Sequence, residues 1–298
     1  MPASIARTWA QLARAPNLFS IPGDPLAGYL LAGGSLLSPR VAVAMAAALC
    51  IYAGGLFFND YFDRDEDARD RPERPIPSGA VPPERVRAAG VYLHGAGIAI
   101  SFMTGHLLAF LVATCLVLAT LAYNGGAKRD PGFGPALMGG CRAGSVLLGA
   151  AFSASGWPPA VWIVAVHSLL FFGLLTWLAA GEIRDDRPFT RAWLLPLLPL
   201  AAAAALCLAQ PPLTVASATV AFLFIGGATV SCAASVRAVL RQRSARPSFI
   251  GRVIRDFILV QTAWTAWAAP SNKLPIIIIV FIAFRISAAR AAKHFYGS

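Results

Sequence analysis

The sequence predicts an all-α integral membrane protein, built as a single domain over residues 1–298 with nine or ten transmembrane helices. Three observations predict it. Of the 298 residues, 57% are hydrophobic and only 13% charged, with a mean hydropathy of +0.63, far from the balance of a water-soluble domain. Apolar segments near the length of about 20 residues that a helix needs to cross a bilayer occur at ten places. The 25 Lys and Arg residues concentrate in alternate loops.

In order, the segments begin near Asn17, Val41, Val86, Leu107, Pro135, Ala160, Ala192, Leu213, Ile250 and Leu274. The first is interrupted by Gly23-Asp24-Pro25, where proline removes a backbone donor. The second, Val41 to Phe58, runs straight into Asn59 and Asp60. The fifth carries Gly139, Gly140 and Gly144 at a small-xxx-small spacing that predicts close helix packing. Arg252, Arg255 and Asp256 make the first half of the ninth amphipathic, so it either spans or lies along the interface. No short apolar core with a cleavage site appears in Met1 to Ala15, and the first spanning segment is expected to direct insertion.

A net charge of +11 would raise nucleic acid as a partner in a soluble protein, but its placement excludes that reading. Nearly all of the cations fall in Arg64 to Arg87, Lys128 and Arg129, Arg184 to Arg191, Arg237 to Arg246 and the two termini, while the opposite turns carry only Arg40 and Lys273. By the positive-inside rule both termini and the acidic loops are cytoplasmic, at an inner or plasma membrane. An even number of crossings follows and favours ten. Cys50, Cys115, Cys141, Cys207 and Cys232 stand singly within apolar runs and read as packing residues. His94, His106 and His167 have no partners at ligand spacing and are expected to be packed or interfacial.

Seven of the fourteen acidic residues fall between Asp60 and Glu73. At about 100° per helical residue, Asn59, Asp60, Asp63 and Asp67 share one helix face, joined by Asp70 if the helix persists, while Asp65 points away toward Arg64 or Arg69. Carboxylates at a helix C-terminus oppose the macrodipole, and a bound cation offsets that. Mg²⁺ binds through one or two carboxylates plus phosphate oxygens, so the pattern points to a metal-bridged phosphate ligand. The loop continues through Arg74-Pro75-Ile76-Pro77-Ser78-Gly79, whose prolines predict an extended path.

A second insertion, Gly181 to Arg191, follows the sixth segment on the same membrane face. Glu182 and Asp186 lie one turn apart beside Asp185; they either hold a second metal ion or pair with Arg184 and Arg187. Cations for a diphosphate are available at Arg71, Arg74, Lys128, Arg129 and Arg142. Arg142, about two turns into an apolar segment, must face the bundle interior, toward an anion or toward a buried partner such as Asp24. Asp24 is itself an intramembrane carboxylate, and Asn17 precedes it.

From Ala15 to about Pro199 these residues resemble the UbiA superfamily of intramembrane prenyltransferases. Asn59-Asp60-Tyr61-Phe62-Asp63-Arg64-Asp65-Glu66-Asp67 matches its NDxxDxxxD motif, and the RPIPSG of Arg74 to Gly79 follows as in many members. Tyr123-Asn124 with Lys128-Arg129 is similar to the tyrosine-lysine element after the fourth helix, and Gly140 to Gly144 to the arginine-bearing start of the fifth. The resemblance implies a helical barrel around a central cavity, capped by cytoplasmic loops. It also implies Mg²⁺-dependent transfer of a prenyl group from a prenyl diphosphate, through an allylic carbocation, to an aromatic or other electron-rich small-molecule acceptor. On that likeness Asp60, Asp63, Asp67 and Asp186 are catalytic carboxylates. Asn59, Asp60, Asp63 and Asp67 hold one metal, and Glu182, Asp185 and Asp186 the second. Asn17, Asp24, Asn59, Arg71, Arg74, Tyr123, Lys128 and Arg142 bind substrate. The chain departs from the pattern at Thr190, where the second motif, DxxxD, should close with a carboxylate. That departure keeps open a non-catalytic relative that binds or carries a lipid diphosphate. The tenth segment, Leu274 to Ala289, also exceeds the usual helix count.

Overall fold

The structure is a computed structural model that describes residues 5–153, 156–184, 194–241 and 246–295. Among these residues it contains helices and no strands. The helices are α1 (Ile5–Leu12), α2 (Ala15–Leu18), α3 (Gly23–Leu31), α4 (Pro39–Phe62), α5 (Arg64–Asp70), α6 (Pro83–Met103), α7 (Leu107–Asn124), α8 (Phe133–Ala151), α9 (Pro159–Arg184), α10 (Leu197–Ala209), α11 (Val215–Arg241), α12 (Arg246–Trp267) and α13 (Leu274–Phe295). Short 3₁₀ turns at Ala127–Arg129 and Ser271–Lys273 precede α8 and α13.

Each of the ten expected segments yields helix, but they are not equivalent. Six described spans, Pro39–Phe62, Pro83–Met103, Leu107–Asn124, Pro159–Ala180, Val215–Arg241 and Ser271–Lys293, are long and apolar enough to cross a membrane. The remaining four segments correspond to α3, α8, α10 and α12. The first is shortened because Pro22 and Pro25 flank Asp24, splitting it into α2 and a nine-residue α3. The tenth expected segment forms the long α13.

α3, α8 and α12 stand at the centre of the bundle. Ala27 and Leu31 of α3, Ala143 and Val146 of α8, and Phe257 and Trp264 of α12 pack into one apolar cluster with α9 and α11. Leu26 and Tyr29, Leu148, and Ile258 of the same three helices pack into a second cluster with α4, α7 and α13. α12 is therefore a core helix rather than an interfacial one: Val253, Phe257, Ile258, Val260, Gln261, Thr262 and Trp264 are all buried. Its amphipathic pattern reflects a polar side turned to partners, since buried Asp256 accepts from Arg285 of α13 at 2.7 Å and from Ser231 of α11.

The α3–α8 crossing has backbone packed on backbone. A Cβ at Gly28 would strike the Val146 carbonyl, and one at Gly149 the Pro25 carbonyl. Of the glycines singled out in the sequence, Gly139 meets the Leu169 carbonyl and Gly144 the Leu116 side chain, whereas Gly140 faces open space. The small-residue spacing of the fifth segment is thus used for packing on two different neighbours. His94 and His167 are buried as expected, the first near the Ile51 carbonyl at 3.1 Å and the second among Phe171, Phe257 and Trp264. Cys50, Cys115, Cys141 and Cys232 are free thiols, and the Cys207 side chain lies outside the described residues.

Candidate active site

α4 brings Asn59 and Asp60 to the end of the bundle from which α6 and α8 depart and at which α7 ends. Ser38 caps its start, accepting from the Arg40 amide at 3.3 Å, with Pro39 in the first turn. The helix does not continue to Asp70. It breaks at Asp63, whose amide closes on the Asn59 carbonyl and which also serves as the N-cap position of α5. Helical bonds still run through this point, from the Asp67 amide to the Asp63 carbonyl at 2.8 Å, and Asp67 is 4% exposed while Asp65 and Asp70 are exposed. Asp65 pairs with Arg64 at 3.7 Å.

Each inward carboxylate is held by a cation. Asp60 Oδ1 lies 3.4 Å from Arg14 Nη2 and 3.9 Å from Arg74 Nη1, and accepts from Asn59 Nδ2 at 3.4 Å. Asp67 pairs with Arg74 at 2.8 Å and Arg71 at 3.9 Å. Asp63 pairs with Lys128, across 65 residues of sequence. Lys128 lies in the turn before α8, where Asp130 Oδ1 accepts from the Gly132 and Phe133 amides at 2.9 and 2.6 Å. Those two donors hold the Asp130 carboxyl below its usual value of 3.8.

The segment after α5 is a series of turns, not an extended strand. The Arg74 carbonyl accepts from Ser78 N at 2.9 Å, Ile76 from Gly79 N at 3.0 Å and Pro75 from Val81 N at 3.2 Å. The φ imposed by proline suits the second position of a turn as well as extended backbone, and Gly79 at φ 74° supplies the left-handed residue. This compaction brings Arg74 back onto Asp60 and Asp67.

Beneath the mouth lies a chamber of about 150 Å³, with a largely apolar wall that includes Ala48, Ile51, Leu56 and Leu116, and with Arg14, Asn59, Tyr123 and Arg142 among its polar residues. Asn124 donates to the Gly55 carbonyl at 2.9 Å, tying α7 to α4 at the rim. Arg142 and Asp24 are paired with each other at 2.9 Å and almost entirely buried, with side-chain exposures of 7% and 0%. Arg142 also donates to the Ser20 carbonyl at 3.1 Å and lies over the Phe172 ring at 4.2 Å. Gln261 Nε2 completes the knot at Asp24 (2.6 Å) and Ser20 (2.7 Å). Asp24 is therefore committed to Arg142 and Gln261 below the chamber rather than to its surface, while Arg142 still contributes to the wall. Asn17 lies in α2, where its carbonyl accepts from Ser20, and is not among the wall residues.

Of the substrate and metal residues expected from the sequence, Asn59, Asp60, Asp63, Asp67, Arg71, Arg74 and Lys128 come together at the mouth. Asp185 and Asp186 lie outside the described residues, as does the Glu182 side chain at the end of α9. Arg14, Ser20 and Gln261 were not expected. Gln261 had a faint signal as a lone amide in an apolar run; Arg14 reads in the sequence as an ordinary cytoplasmic charge.

The donor set can be tested against a divalent ion. Arg74 Nη1 stands within 4 Å of both Asp60 and Asp67, so a cation already sits between two carboxylates. No cluster of three or more acidic, His or Cys ligands converges among the described residues. Two hard oxygens around one cation, with basic residues at hand, fit Mg²⁺ completed by phosphate oxygens rather than a cage built of protein alone.

A family model described as the UbiA prenyltransferase family matches residues 25–248. The digeranylgeranylglyceryl phosphate synthase of Methanoregula boonei is 31% identical over 221 residues, covering 72% of this chain and 77% of that protein. The synthase of the same name from Natronomonas pharaonis is 33% identical over 145 residues, 49% of this chain and 52% of its own. Among solved structures, a digeranylgeranylglyceryl phosphate synthase superposes with a TM-score of 0.59 at 16% identity, over 96% of this chain and 99% of its own. A UbiA homologue from Archaeoglobus fulgidus bound to GPP and Mg²⁺ gives 0.52 at 13% identity, over 95% and 99%.

Proposed function

The chain belongs to the UbiA prenyltransferase family, and from that premise we propose that it moves a prenyl group from a Mg²⁺-bound prenyl diphosphate to an electron-rich acceptor held in the chamber. One observation carries the reading: Asp60, Asp63 and Asp67 are gathered over an apolar chamber, each neutralised by a cation that a diphosphate can draw away.

In this scheme the diphosphate lies at the mouth and the prenyl tail among Ala48, Ile51, Leu56 and Leu116. Asn59, Asp60, Asp63 and Asp67 hold the metal side of the diphosphate; Glu182, Asp185 and Asp186 are assigned to a second ion from the opposite insertion. Bound Mg²⁺ supplies charge neutralisation for the departing diphosphate. Arg71, Arg74 and Lys128, which pair with Asp67 and Asp63 in the structure, would turn to the phosphate oxygens of a bound diphosphate, leaving those carboxylates able to hold the metal. The C1–O bond to diphosphate breaks, the acceptor's nucleophilic atom forms the new bond to C1, and that atom gives up its proton. The apolar wall keeps water from intercepting the allylic cation.

The relatives named as digeranylgeranylglyceryl phosphate synthases point to an alcohol of a glyceryl phosphate as the acceptor class. Polar lining residues such as Arg14, Asn59, Thr120 and Ser145 are consistent with a polar acceptor. Membrane insertion with both termini and the mouth on the cytoplasmic side is supported by the alternation of Lys and Arg along the loops.

The test is incubation of detergent-solubilised protein with a panel of labelled isoprenoid diphosphates and glyceryl phosphate or aromatic acceptors, measuring pyrophosphate and lipid product together. Mg²⁺-dependent appearance of both is expected. Diphosphate binding without release under every acceptor would overturn transfer in favour of carriage.

A further inference from the structure

Arg14 differs from the other cations of the mouth. It lies outside the acidic loop, between α1 and α2, and its guanidinium reaches both Asp60 and the chamber wall. Among the described residues it is the one non-glycine with positive φ, at φ 44° and ψ 55°, a left-handed conformation that side-chain-bearing residues enter at a cost. The chain before it is anchored. Leu12 is fully buried with Phe57, Val81 and Val86, and the Trp9 ring lies 5.6 Å from Phe57, one helical turn before Tyr61 on α4. An anchored α1 and a strained joint thus deliver one cation to the carboxylate at the head of the acidic motif.

The contact itself is loose. At 3.4 Å, with Arg14 about one-third exposed, it is longer than the 2.9 Å of the buried Arg142–Asp24 pair. Asp60 has a second, more distant cation in Arg74 at 3.9 Å, so its charge is shared between the two guanidinium groups. A guanidinium that is aimed by backbone strain, held loosely by a carboxylate and lodged in the chamber wall is placed to exchange that carboxylate for an incoming anion.

We propose that Arg14 is a substrate-binding residue acting as a transferable cation: it neutralises Asp60 until metal binds there, then grips the diphosphate. The proposal rests on the metal-diphosphate reading above and adds to it a residue outside the aspartate motif. It predicts effects of opposite sign. Removing the guanidinium takes a competitor away from Asp60, so a divalent ion alone should bind more tightly, while the diphosphate loses a charge-assisted contact and should bind more weakly. A residue that only ties α1 to α4 would weaken both together.

The experiment uses the full-length, detergent-solubilised chain with Mn²⁺ followed by electron paramagnetic resonance, and inorganic pyrophosphate followed by calorimetry at saturating Mn²⁺. Arg14→Asn removes the cation with a residue that tolerates the left-handed backbone. It should tighten Mn²⁺ binding severalfold and weaken pyrophosphate binding about tenfold. Arg14→Lys should restore part of both, and an unchanged thermal unfolding profile reports an intact fold. Parallel losses, or no change in either affinity, would overturn the role of Arg14 while pyrophosphate uptake by the unaltered protein leaves the wider reading standing. Absence of uptake in the unaltered protein would overturn both.

Discussion

Two sets of ion pairs lie on either side of the same chamber and are built to opposite ends. At the mouth, Asp60 and Asp67 have partners that are partly solvated and in two cases 3.9 Å away, with Arg74 serving both carboxylates at once, while Asp63 has Lys128 to itself. Below the chamber, Asp24 and Arg142 are sealed from solvent at 2.9 Å and locked by Gln261 and the Ser20 carbonyl. A shared, half-wet pair contributes little stability and is easily exchanged, whereas a buried pair is costly to break because the surviving charge has nowhere to go. The difference teaches that charge in this membrane protein is divided between exchangeable contacts for a ligand and fixed contacts for the fold.

The largest expected effect tests the fixed set. Arg142→Ala should destabilise the protein by about 3–5 kcal/mol, seen as loss of monodisperse protein in detergent, because Asp24 is left buried without its counter-ion. The double change Arg142→Met with Asp24→Leu should recover most of that loss; failure to recover it would show that Arg142 is needed for more than pairing. At the mouth the same kind of deletion should spare the fold and remove activity. Asp63→Ala should lower turnover about 10²–10³-fold with an unchanged unfolding midpoint, and full activity with added Mg²⁺ and prenyl diphosphate would place the metal elsewhere. Asp130→Ala should be milder still. The native carboxyl is held below its ordinary 3.8 by the Phe133 and Gly132 amides, so the stability from these turn bonds is complete above that pH and fades as the pH falls through the lowered value. The variant should therefore unfold more readily near neutrality and lose the corresponding fall in stability below about pH 4, measured by thermal unfolding across pH.

Much of the mouth is legible in the chain because its parts lie close in sequence: Asn59, Asp60, Asp63, Asp67, Arg71 and Arg74 span sixteen positions and share a local path. The expected helix path was too simple. Periodicity placed Asp70 on the same face only if the helix persists, while the structure interrupts it at Asp63, leaves Asp70 exposed and folds the proline segment into turns that return Arg74 to the carboxylates. Arg14 and Gln261 were hidden for a different reason. Their partners lie 46 and 237 residues away, and no spacing rule links residues brought together only by the packing of α1 on α4 in one case and of α12 on α3 in the other. Arg142 was readable as an inward-facing charge, since an arginine in an apolar segment must find an anion, yet the choice between a ligand and Asp24 needed the crossing of α3 with α8.

That crossing has a further consequence. Where Gly28 rests on the Val146 carbonyl and Gly149 on the Pro25 carbonyl, two backbones already touch, and no side chain remains that can swing aside. The chamber flank formed by α4 and α7 is lined instead by side chains, among them Ile51, Leu116 and Thr120, which a guest can press on without moving a backbone. The rigid seam thereby sets the direction in which the enzyme's appetite for longer tails can evolve.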